Sequence, residues 1–280
     1  MKYQLVSIII PTRNSIRTIE KVLKSIKKQA YPRIEVIVVD QQSTDGTIET
    51  AKKYADRVII TKGDKFYSAP PVSRNMGAKA SKGKYLFHID SDMELNPKIV
   101  KECVEMMEKD PELLAIKVHE KDIGEGFWSK AKKLERSCYV GYDLIEAARF
   151  IRGSVFKKLG GYDETLRSAE DWDMSQRIKE LGKIDEAKTF TTHHLGRMSY
   201  WYQVKKKFNY GLTLNQIINK HNFTPKNSFL FVFRTAYLKN LDKFAKDPVA
   251  TLGFLVLRSS ELMAYLAGVV WARMTNLQLE

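Results

Sequence analysis

The first half of the chain alternates between two patterns of apolar residues. Short continuous apolar runs, typical of strands buried on both faces, are separated by segments whose apolar residues recur at helical spacing. The predicted strands are residues 5–10, 34–39, 58–61, 85–89 and 114–118. The predicted helices are residues 16–28, 47–54, 72–80 and 97–109. This alternation predicts an α/β fold with a mostly parallel, Rossmann-like sheet and helices on both faces.

The second half of the chain has a less regular pattern. We expect helices at residues 127–146 and 170–181 and short strands at residues 149–151 and 189–193. Gly160 and Gly161 mark a turn between them. Near residue 195 the composition becomes basic and aromatic at helical spacing. We therefore expect one domain over residues 1–197 and a helical extension over residues 198–280.

Polar residues follow three of the predicted parallel strands directly. They are Pro11-Thr12-Arg13-Asn14, Asp40-Gln41-Gln42-Ser43 and Asp90-Ser91-Asp92. Open parallel sheets bind ligands at the carboxyl ends of their strands. The sequence therefore predicts a ligand site at this edge of the sheet.

Asp90 and Asp92, one residue apart at a strand end, can share one hard divalent cation. A cation there would bridge two phosphates of a nucleotide and neutralise a departing diphosphate. The alternative is a solvated turn in which Asp92 caps the following helix. One imidazole of His193-His194 can complete the coordination, or the histidine pair is structural. Adjacent strand residues face opposite ways, so at most one of the two should point into the site.

Two further positions suit a nucleotide ligand. The carboxylate of Asp40 can accept hydrogen bonds from a base N–H or a ribose hydroxyl. The planar guanidinium of Arg74 can reach a diphosphate, although a surface arginine is the alternative.

The segment Glu170-Asp171-Trp172-Asp173 opens a predicted helix. Acidic residues in a first turn are expected from the helix dipole alone. In the functional interpretation one carboxylate is a general base that deprotonates an acceptor hydroxyl, and Trp172 lies beside the acceptor.

Taken together and in this order, the motifs resemble those of inverting family-2 glycosyltransferases with a GT-A-type nucleotide-sugar-binding domain. The resemblance extends from residue 4 to about residue 197. The matching segments are Val6-Ser7-Ile8-Ile9-Ile10-Pro11-Thr12-Arg13-Asn14, Val38-Val39-Asp40 with Ser43-Thr44-Asp45-Gly46-Thr47, Arg74-Asn75, Asp90-Ser91-Asp92, Gly160-Gly161-Tyr162-Asp163-Glu164 and Glu170-Asp171-Trp172-Asp173.

The resemblance implies a nucleotide-sugar donor, UDP- or GDP-linked, and a Mg²⁺ or Mn²⁺ ion. On the donor side it implies Pro11, Thr12, Arg13, Asp40, Gln42, Arg74, Asp90 and Asp92. On the acceptor side it implies Gly161, Tyr162, Glu170 and Trp172. As metal ligands it implies Asp90, Asp92 and His193, with Asp92 the preferred direct ligand, and as catalytic base it implies Asp171.

Two departures from the family pattern bear on specificity. Gln41-Gln42 stands where many relatives have a second acidic residue, which leaves the nucleobase open. The processive signature QxxRW is absent, because Arg197 is followed by Met198-Ser199-Tyr200. We therefore expect a single transfer rather than polymerisation.

The charge of the chain indicates an anionic partner. Lys and Arg number 47 against 33 Asp and Glu, a net charge of +14. In segments 201–210, 229–244 and 252–272, aromatic and apolar residues are interleaved with basic ones, which favours amphipathic helices at a membrane interface. A helical subdomain, or an interface with a second copy of the chain, is the alternative.

The expected location is the cytoplasm, peripheral at the cytosolic face of the membrane. No uninterrupted apolar run reaches the roughly 18–20 residues of a membrane span, and the N-terminus does not resemble a signal peptide. Cys103 and Cys138 have no metal-binding spacing, which favours a reducing compartment. The acceptor expected there is a polyprenyl- or dolichyl-linked sugar or another glycan.

Other functional classes are less well supported. The charge alone would suit a nucleic-acid-binding protein, but no zinc-finger or RNP1 motif is present. A nucleotidyltransferase or a dinucleotide dehydrogenase would need glycines after the first strand, and Pro11–Ser15 contains none. A non-catalytic relative that binds a nucleotide sugar stays open as an alternative.

Overall fold

The computed structural model describes residues 3–61, 70–139, 147–166, 168–213, 220–221 and 236–275. The chain divides into two compact units. The first comprises Met1–Lys121, Glu146–Glu164 and Glu170–His194, and the second comprises Asp122–Ile145, Thr165–Ala169 and Leu195–Glu280. The sequence predicted one boundary at residue 197, whereas this division also assigns two earlier segments to the second unit.

The described residues form ten strands and ten α-helices. The strands are β1 Val6–Thr12, β2 Ile34–Asp40, β3 Arg57–Ile60, β4 Tyr85–His88, β5 Met93–Glu94, β6 Leu113–Lys117, β7 Glu120–Glu125, β8 Ala148–Arg152, β9 Lys183–Glu186 and β10 Thr191–Arg197. The helices are α1 Ile19–Lys27, α2 Thr47–Tyr54, α3 Pro70–Ala80, α4 Ile99–Lys109, α5 Phe127–Ser137, α6 Gly153–Lys158, α7 Glu170–Leu181, α8 Tyr200–Leu212, α9 Leu241–Lys246 and α10 Pro248–Met274. A 3₁₀-helix covers Leu238–Asn240.

The main sheet has seven strands in the order β3-β2-β1-β4-β8-β6-β9, and a smaller sheet has the order β5-β10-β7. In the main sheet β8 runs antiparallel to β4 and β6, and every other adjacent pair is parallel. The prediction of a mostly parallel sheet is confirmed. Thr12 on β1 pairs with Asp40 on β2, and Ile9 pairs with His88 on β4, so these three strands end along one edge.

Both faces of the central strand β1 are buried. Ile8 and Ile10 belong to an apolar cluster with Leu23 of α1, whereas Ile9 belongs to a second cluster with Ile178 of α7. Successive strand side chains point to opposite faces, so a strand covered on both sides must be apolar throughout. Each of these buried side chains contributes about 1.5–3 kcal/mol through removal of its surface from water.

Every strand and helix predicted in the first half is present, with ends that differ by at most three residues. The sequence missed β5, β7, α6 and β9. β5 has only two residues, and β9 is a charged edge strand in which Lys183 and Asp185 are exposed. The helix predicted over residues 127–146 ends at Ser137, and residues 140–146 lie outside the described part of the chain.

Helices α8 and α10 of the second unit approach each other closely at two glycines. A Cβ atom on Gly211 would lie 2.1 Å from the carbonyl oxygen of Tyr265. A Cβ atom on Gly268 would lie 2.2 Å from the carbonyl oxygen of Phe208. Only glycine allows this backbone contact, which fixes the helix pair.

Helix α10 is long and apolar enough to cross a membrane by length and composition. Its most apolar 18-residue window has a mean hydropathy of 1.4 and is 33% buried. The uninterrupted apolar run stays shorter than a membrane span, as expected, because Arg258 and Glu261 interrupt it, but these two charges leave the average hydropathy of the helix high. Glu261 is buried, and its carboxylate accepts hydrogen bonds from Nζ of Lys132 on α5 at 3.0 and 3.2 Å.

Of the segment predicted to be helical over residues 229–244, residues 229–235 lie outside the described part of the chain.

Candidate active site

Hydrogen bonds to the Asp40 carboxylate connect the loop after β2 to the end of β1. The Thr12 hydroxyl donates to Asp40 Oδ2 at 2.7 Å, and the Ser43 amide donates to Asp40 Oδ1 at 2.7 Å. Asp40 is fully buried, so these bonds hold the two strand ends together. The contact of Asp40 with a base or a ribose stays a prediction.

The loops after β1, β2 and β4 are also joined to one another. The Asn14 amide donates to the Ser43 hydroxyl at 2.8 Å, and the hydroxyls of Ser15 and Ser91 lie 2.8 Å apart. Asn14 has a φ of 48°, a left-handed conformation that asparagine tolerates better than most residues. The three strand-end segments singled out from the sequence therefore form one connected surface.

The other residues predicted to lie on the donor side belong to these loops or contact them. Gln41 donates its side-chain amide to the Ser73 hydroxyl at 2.7 Å, while Gln42, with a φ of 57°, is exposed. Arg13 is also exposed, and Pro11 is half-buried.

Asp90 lies between two guanidiniums. Its Oδ1 is 2.7 Å from Nη2 of Arg74 on α3, and its Oδ2 is 3.3 Å from Nη1 of Arg149 on β8. Burial alone would raise the pKa of the Asp90 carboxyl, but Arg149 and Arg74 together outweigh it and hold the pKa well below its usual range. Each oxygen of this ionised carboxylate already faces a guanidinium, so a metal ion at Asp90 would compete with Arg74 and Arg149 for the carboxylate.

Arg74 joins this carboxylate to helix α7. Its Nη1 donates to Glu170 Oε1 at 2.5 Å, and the residue is only 4% exposed. The alternative of a surface arginine is therefore wrong. A diphosphate would compete with Asp90 and Glu170 for the Arg74 guanidinium. Burial raises the pKa of the Glu170 carboxyl above its usual value, and the negative charge of the neighbouring Asp171 raises it further.

Asp171, the predicted base, follows directly on α7. It is half-buried, and its negative charge acts on the guanidiniums of both Arg74 and Arg149. Its Oδ1 accepts a hydrogen bond from the Trp172 amide at 2.8 Å. Trp172 is 8% exposed, which leaves little of its surface for the predicted contact with an acceptor.

Asp92 and His193 lie side by side, on the turn before β5 and on the paired strand β10. Nε2 of His193 is 3.4 Å from Asp92 Oδ2, whereas Nε2 of His194 is 3.0 Å from Glu94 Oε2. The two histidines thus have different carboxylate neighbours, as expected for adjacent strand residues. Helix α4 begins at Ile99, with Lys98 as its N-cap residue, so Asp92 does not cap it.

The second oxygen of Asp92, Oδ1, is buried and has no hydrogen-bond partner within the described residues. A buried carboxylate oxygen without a donor is costly unless another positive group reaches it. Together with Nε2 of His193, which lies beside the same carboxylate, Oδ1 of Asp92 is well suited to bind a divalent cation.

Asn75, the residue after Arg74, holds the glycine turn that was predicted to lie on the acceptor side. The Asn75 side chain accepts from the Tyr162 amide and donates to the Tyr162 carbonyl, both at 2.8 Å. Gly161 has a φ of 82°, and a Cβ there would lie 2.6 Å from Asn75 Oδ1. Tyr162 itself is buried, with its ring centroid 5.5 Å from the Arg74 guanidinium carbon.

Three residues of the cluster were missed by sequence reasoning. Arg149 donates through Nη2 to Glu120 Oε1 at 2.8 Å, and His88 is fully buried at the end of β4. Burial lowers the pKa of His88 well below its usual range, and Arg74 and Arg149 add to the effect. The available signals were an arginine and a histidine inside otherwise apolar strands. Glu120, in a polar segment, carried no such signal.

Comparison with known proteins identifies the family. The family model "Glycosyl transferase family 2" matches residues 7–160. An uncharacterized glycosyltransferase of Haemophilus influenzae is 27% identical over 209 residues, which cover 70% of each chain. The Escherichia coli glucosyltransferase WfaP is 37% identical over 89 residues, 32% of this chain and 36% of WfaP. Staphylococcus aureus TarS, a poly(ribitol-phosphate) beta-N-acetylglucosaminyltransferase, is 32% identical over 107 residues, 37% of this chain but only 19% of TarS.

Solved structures share the fold. A mannosyltransferase of Pyrobaculum calidifontis, in complex with GDP-Man and Mn²⁺, has a TM-score of 0.64 at 17% identity, over 99% of this chain and 85% of that one. TarS residues 1–349 in complex with UDP have a TM-score of 0.54 at 20% identity, over 97% and 92% of the two chains. The GT-A-like architecture is thereby confirmed. Because the family model spans more than half of the chain and covers the three connected strand-end loops, this protein belongs to glycosyl transferase family 2 and is a glycosyltransferase.

Proposed function

We propose that this glycosyltransferase moves one sugar from a nucleoside-diphosphate donor to an acceptor hydroxyl with inversion at the anomeric carbon, assisted by a divalent cation. The observation that carries the proposal is the buried oxygen of Asp92 beside His193, which has no hydrogen-bond partner in the described part of the chain and lies at the edge where three connected loops end. Membership in a glycosyltransferase family argues against the nucleic-acid alternative, because it supplies an anionic substrate for the basic chain.

We assign metal binding to Asp92 and His193. When bound there, Mg²⁺ or Mn²⁺ would neutralise charge on the leaving diphosphate. The Mn²⁺ in the related mannosyltransferase complex supports this assignment. Asp90, paired with Arg74 and Arg149, instead keeps these two guanidiniums in place.

The donor nucleotide is assigned to the connected loops, where Pro11, Thr12, Arg13, Asp40 and Gln42 lie. Related structures contain GDP-mannose, UDP or UDP-GlcNAc, which supports a UDP- or GDP-linked donor. Gln42 is exposed on a left-handed backbone, and its side-chain amide donates to the Thr61 carbonyl at 3.1 Å; we assign its exposed side to the nucleobase.

The general base in this proposal is Asp171. The acceptor oxygen bonds to the anomeric carbon, the diphosphate leaves with the electron pair of the broken bond, and Asp171 takes the acceptor proton. Inversion requires the base and the leaving group on opposite faces of the sugar. A base on α7, on a different element from the Asp92–His193 pair, suits this requirement. Glu170 is less suited, because its carboxylate is held by Arg74.

The acceptor is proposed to be lipid-linked and used at the cytosolic membrane surface. By its name, WfaP acts on a diphosphoundecaprenol-linked sugar. Helix α10 exposes apolar side chains along much of its length, including Leu252, Met263 and Val270. Helix α8 exposes Trp201 and Lys205, which suit an interface with anionic headgroups.

The test uses the purified chain with Mn²⁺ and a panel of UDP- and GDP-sugars, scored by thermal stabilisation and by release of nucleoside diphosphate. D92N is expected to lose cation-dependent donor binding. D171N is expected to bind the donor normally but to lose transfer to an added acceptor. E180Q, at an exposed position of the same helix, is the matched control and should transfer normally. Normal transfer by D171N would contradict the assignment of the base.

A further inference from the structure

We infer that helix α10 lies in the plane of one membrane leaflet, with its exposed apolar face in the hydrocarbon, and does not cross the bilayer. The inference rests on the membrane location in the proposed function. Length and hydropathy alone allow either arrangement, because the helix has 27 residues and is roughly 40 Å long. The surroundings of its two sides distinguish the arrangements.

One side of α10 is exposed and apolar along nearly its whole length. Large apolar side chains that are at least half exposed recur there at helical spacing: Val249, Leu252, Leu255, Met263, Leu266 and Val270. Ser259 fills the gap in this spacing and is also exposed. Between residues 249 and 270, all of which the structure describes, this apolar face carries no charged residue. Arg273 stands at its C-terminal end.

The opposite side of α10 is covered by helices α5 and α8. Gly253 faces α5, where a Cβ atom would lie 3.0 Å from the Cβ of Ala131, and Gly268 lies against the backbone of α8. Between these glycines, the Tyr200 hydroxyl of α8 donates to the Ser260 hydroxyl at 2.6 Å. The two helices therefore accompany α10 over residues 253–268, which include its middle.

The charges in the middle of α10 point to this covered side. Glu261 is buried, and Nζ of Lys132 on α5 lies 3.0 Å from its Oε1. Nη1 of Arg258 lies 3.8 Å from Oε2 of the same carboxylate. These ion pairs keep both charged side chains of α10 within the protein, so its apolar face is free of charge.

A crossing helix would carry α5 and α8 into the bilayer with it. Both helices expose lysines, namely Lys130, Lys133, Lys205 and Lys206. An ammonium group is costly at the bilayer centre, and a long side chain reaches the headgroups only from near the end of a span. Because α5 and α8 pack along the middle of α10, a crossing arrangement would place these lysines in or beside the hydrocarbon.

An in-plane arrangement satisfies both sides of the helix at once. The apolar face enters one leaflet, while the lysines stay in water or contact anionic headgroups. Trp201 and Tyr202 on α8 are exposed and suit the same interface. The net charge of +14 favours an anionic lipid surface over a second copy of the chain, because two copies repel each other.

The experiment measures the depth of single nitroxide labels by electron paramagnetic resonance, from their accessibility to oxygen and to a water-soluble nickel complex. The chain is reconstituted by detergent removal into vesicles of phosphatidylcholine and phosphatidylglycerol, which permits either arrangement. The labels are attached at L252C, S259C, L266C and V270C, one at a time. Cys103 and Cys138 are buried, so the unsubstituted chain is the labelling control.

We expect all four labels to share one depth, about 5–10 Å below the headgroup boundary. The matched control K133C, on the exposed part of α5, should stay in water. In a crossing helix, S259C would instead lie roughly 10 Å deeper than L252C and V270C, because seven or more residues separate them along the bilayer normal. That depth profile would overturn the inference.

Two further outcomes have distinct meanings. Labels that stay out of the lipid and broaden one another's spectra would also overturn the inference, because the apolar face would then contact a second copy of the chain. Failure of the chain to bind the vesicles would refute the proposed membrane location together with this inference. Release of nucleoside diphosphate from the donor needs no vesicles, so the proposed transfer reaction is tested separately.

Discussion

The buried histidine beneath the arginine pair provides a quantitative test of the electrostatics of the site. His88 is fully buried, with its ring stacked on Phe156 at a centroid distance of 5.0 Å and edge-on to Tyr162 at 5.1 Å. Neither ring nitrogen has a hydrogen-bond partner among the described residues. Burial, reinforced by Arg74 and Arg149, lowers the pKa of His88 well below its usual range. The imidazole is therefore neutral in the folded protein at mildly acidic pH.

In the unfolded chain this imidazole takes up a proton below its ordinary pKa of about 6.5. The unfolded state then binds one proton more than the folded state, so the free energy of unfolding decreases as the pH falls. One such proton changes this free energy by about 1.4 kcal/mol per pH unit once the unfolded chain is protonated. Because this happens only below about pH 6.5, the change between pH 7.5 and pH 5 amounts to about 2 kcal/mol. H88F keeps an aromatic ring in the stack but removes the titrating group.

The assay is urea denaturation of wild type and H88F at several pH values over this range. The stability of H88F relative to wild type should rise by about 2 kcal/mol from pH 7.5 to pH 5. Any packing change caused by phenylalanine is independent of pH and cancels in this difference. Carboxylates that titrate at lower pH are common to both proteins. A stability difference that does not vary with pH would refute the reasoning, because His88 would then titrate in the folded protein as it does in the unfolded chain.

Three further predictions concern the second unit. G268A should lose about 1–3 kcal/mol in urea denaturation because its Cβ meets the Phe208 carbonyl oxygen, and A267V, at an exposed neighbour, should lose far less. K132M should lose about 3–5 kcal/mol by leaving the buried carboxylates of Glu261 and Glu135 without their shared ammonium partner; recovery in K132M/E135Q/E261L would confirm this cause, and its absence would contradict it. L252D, at a 60% exposed apolar position, should reduce co-sedimentation with anionic liposomes at least tenfold; undiminished co-sedimentation would count against the membrane surface.

Local sequence pattern was sufficient for the scaffold of this enzyme. Continuous apolar runs such as residues 34–39 identified the buried parallel strands, and helical spacing identified α2 and α7 with both ends correct. Both patterns depend on neighbours within a few residues of each other, so they can be recognised without knowing the rest of the fold. The polar residues after β1, β2 and β4 were identifiable for the same reason.

Tertiary structure alone decided which side chains of the site contact one another. The antiparallel pairing of β8 with β4 brings Arg149 to Asp90. The pairing of β5 with β10 brings the His193 imidazole to within 3.4 Å of the Asp92 carboxylate, while the backbone amide of His194 donates to the Asp92 carbonyl. Partners so distant along the chain are selected by strand order and register, which no local period specifies. Whether a carboxylate such as Asp90 binds a metal ion or a guanidinium therefore depends on contacts that exist only once the sheet has assembled.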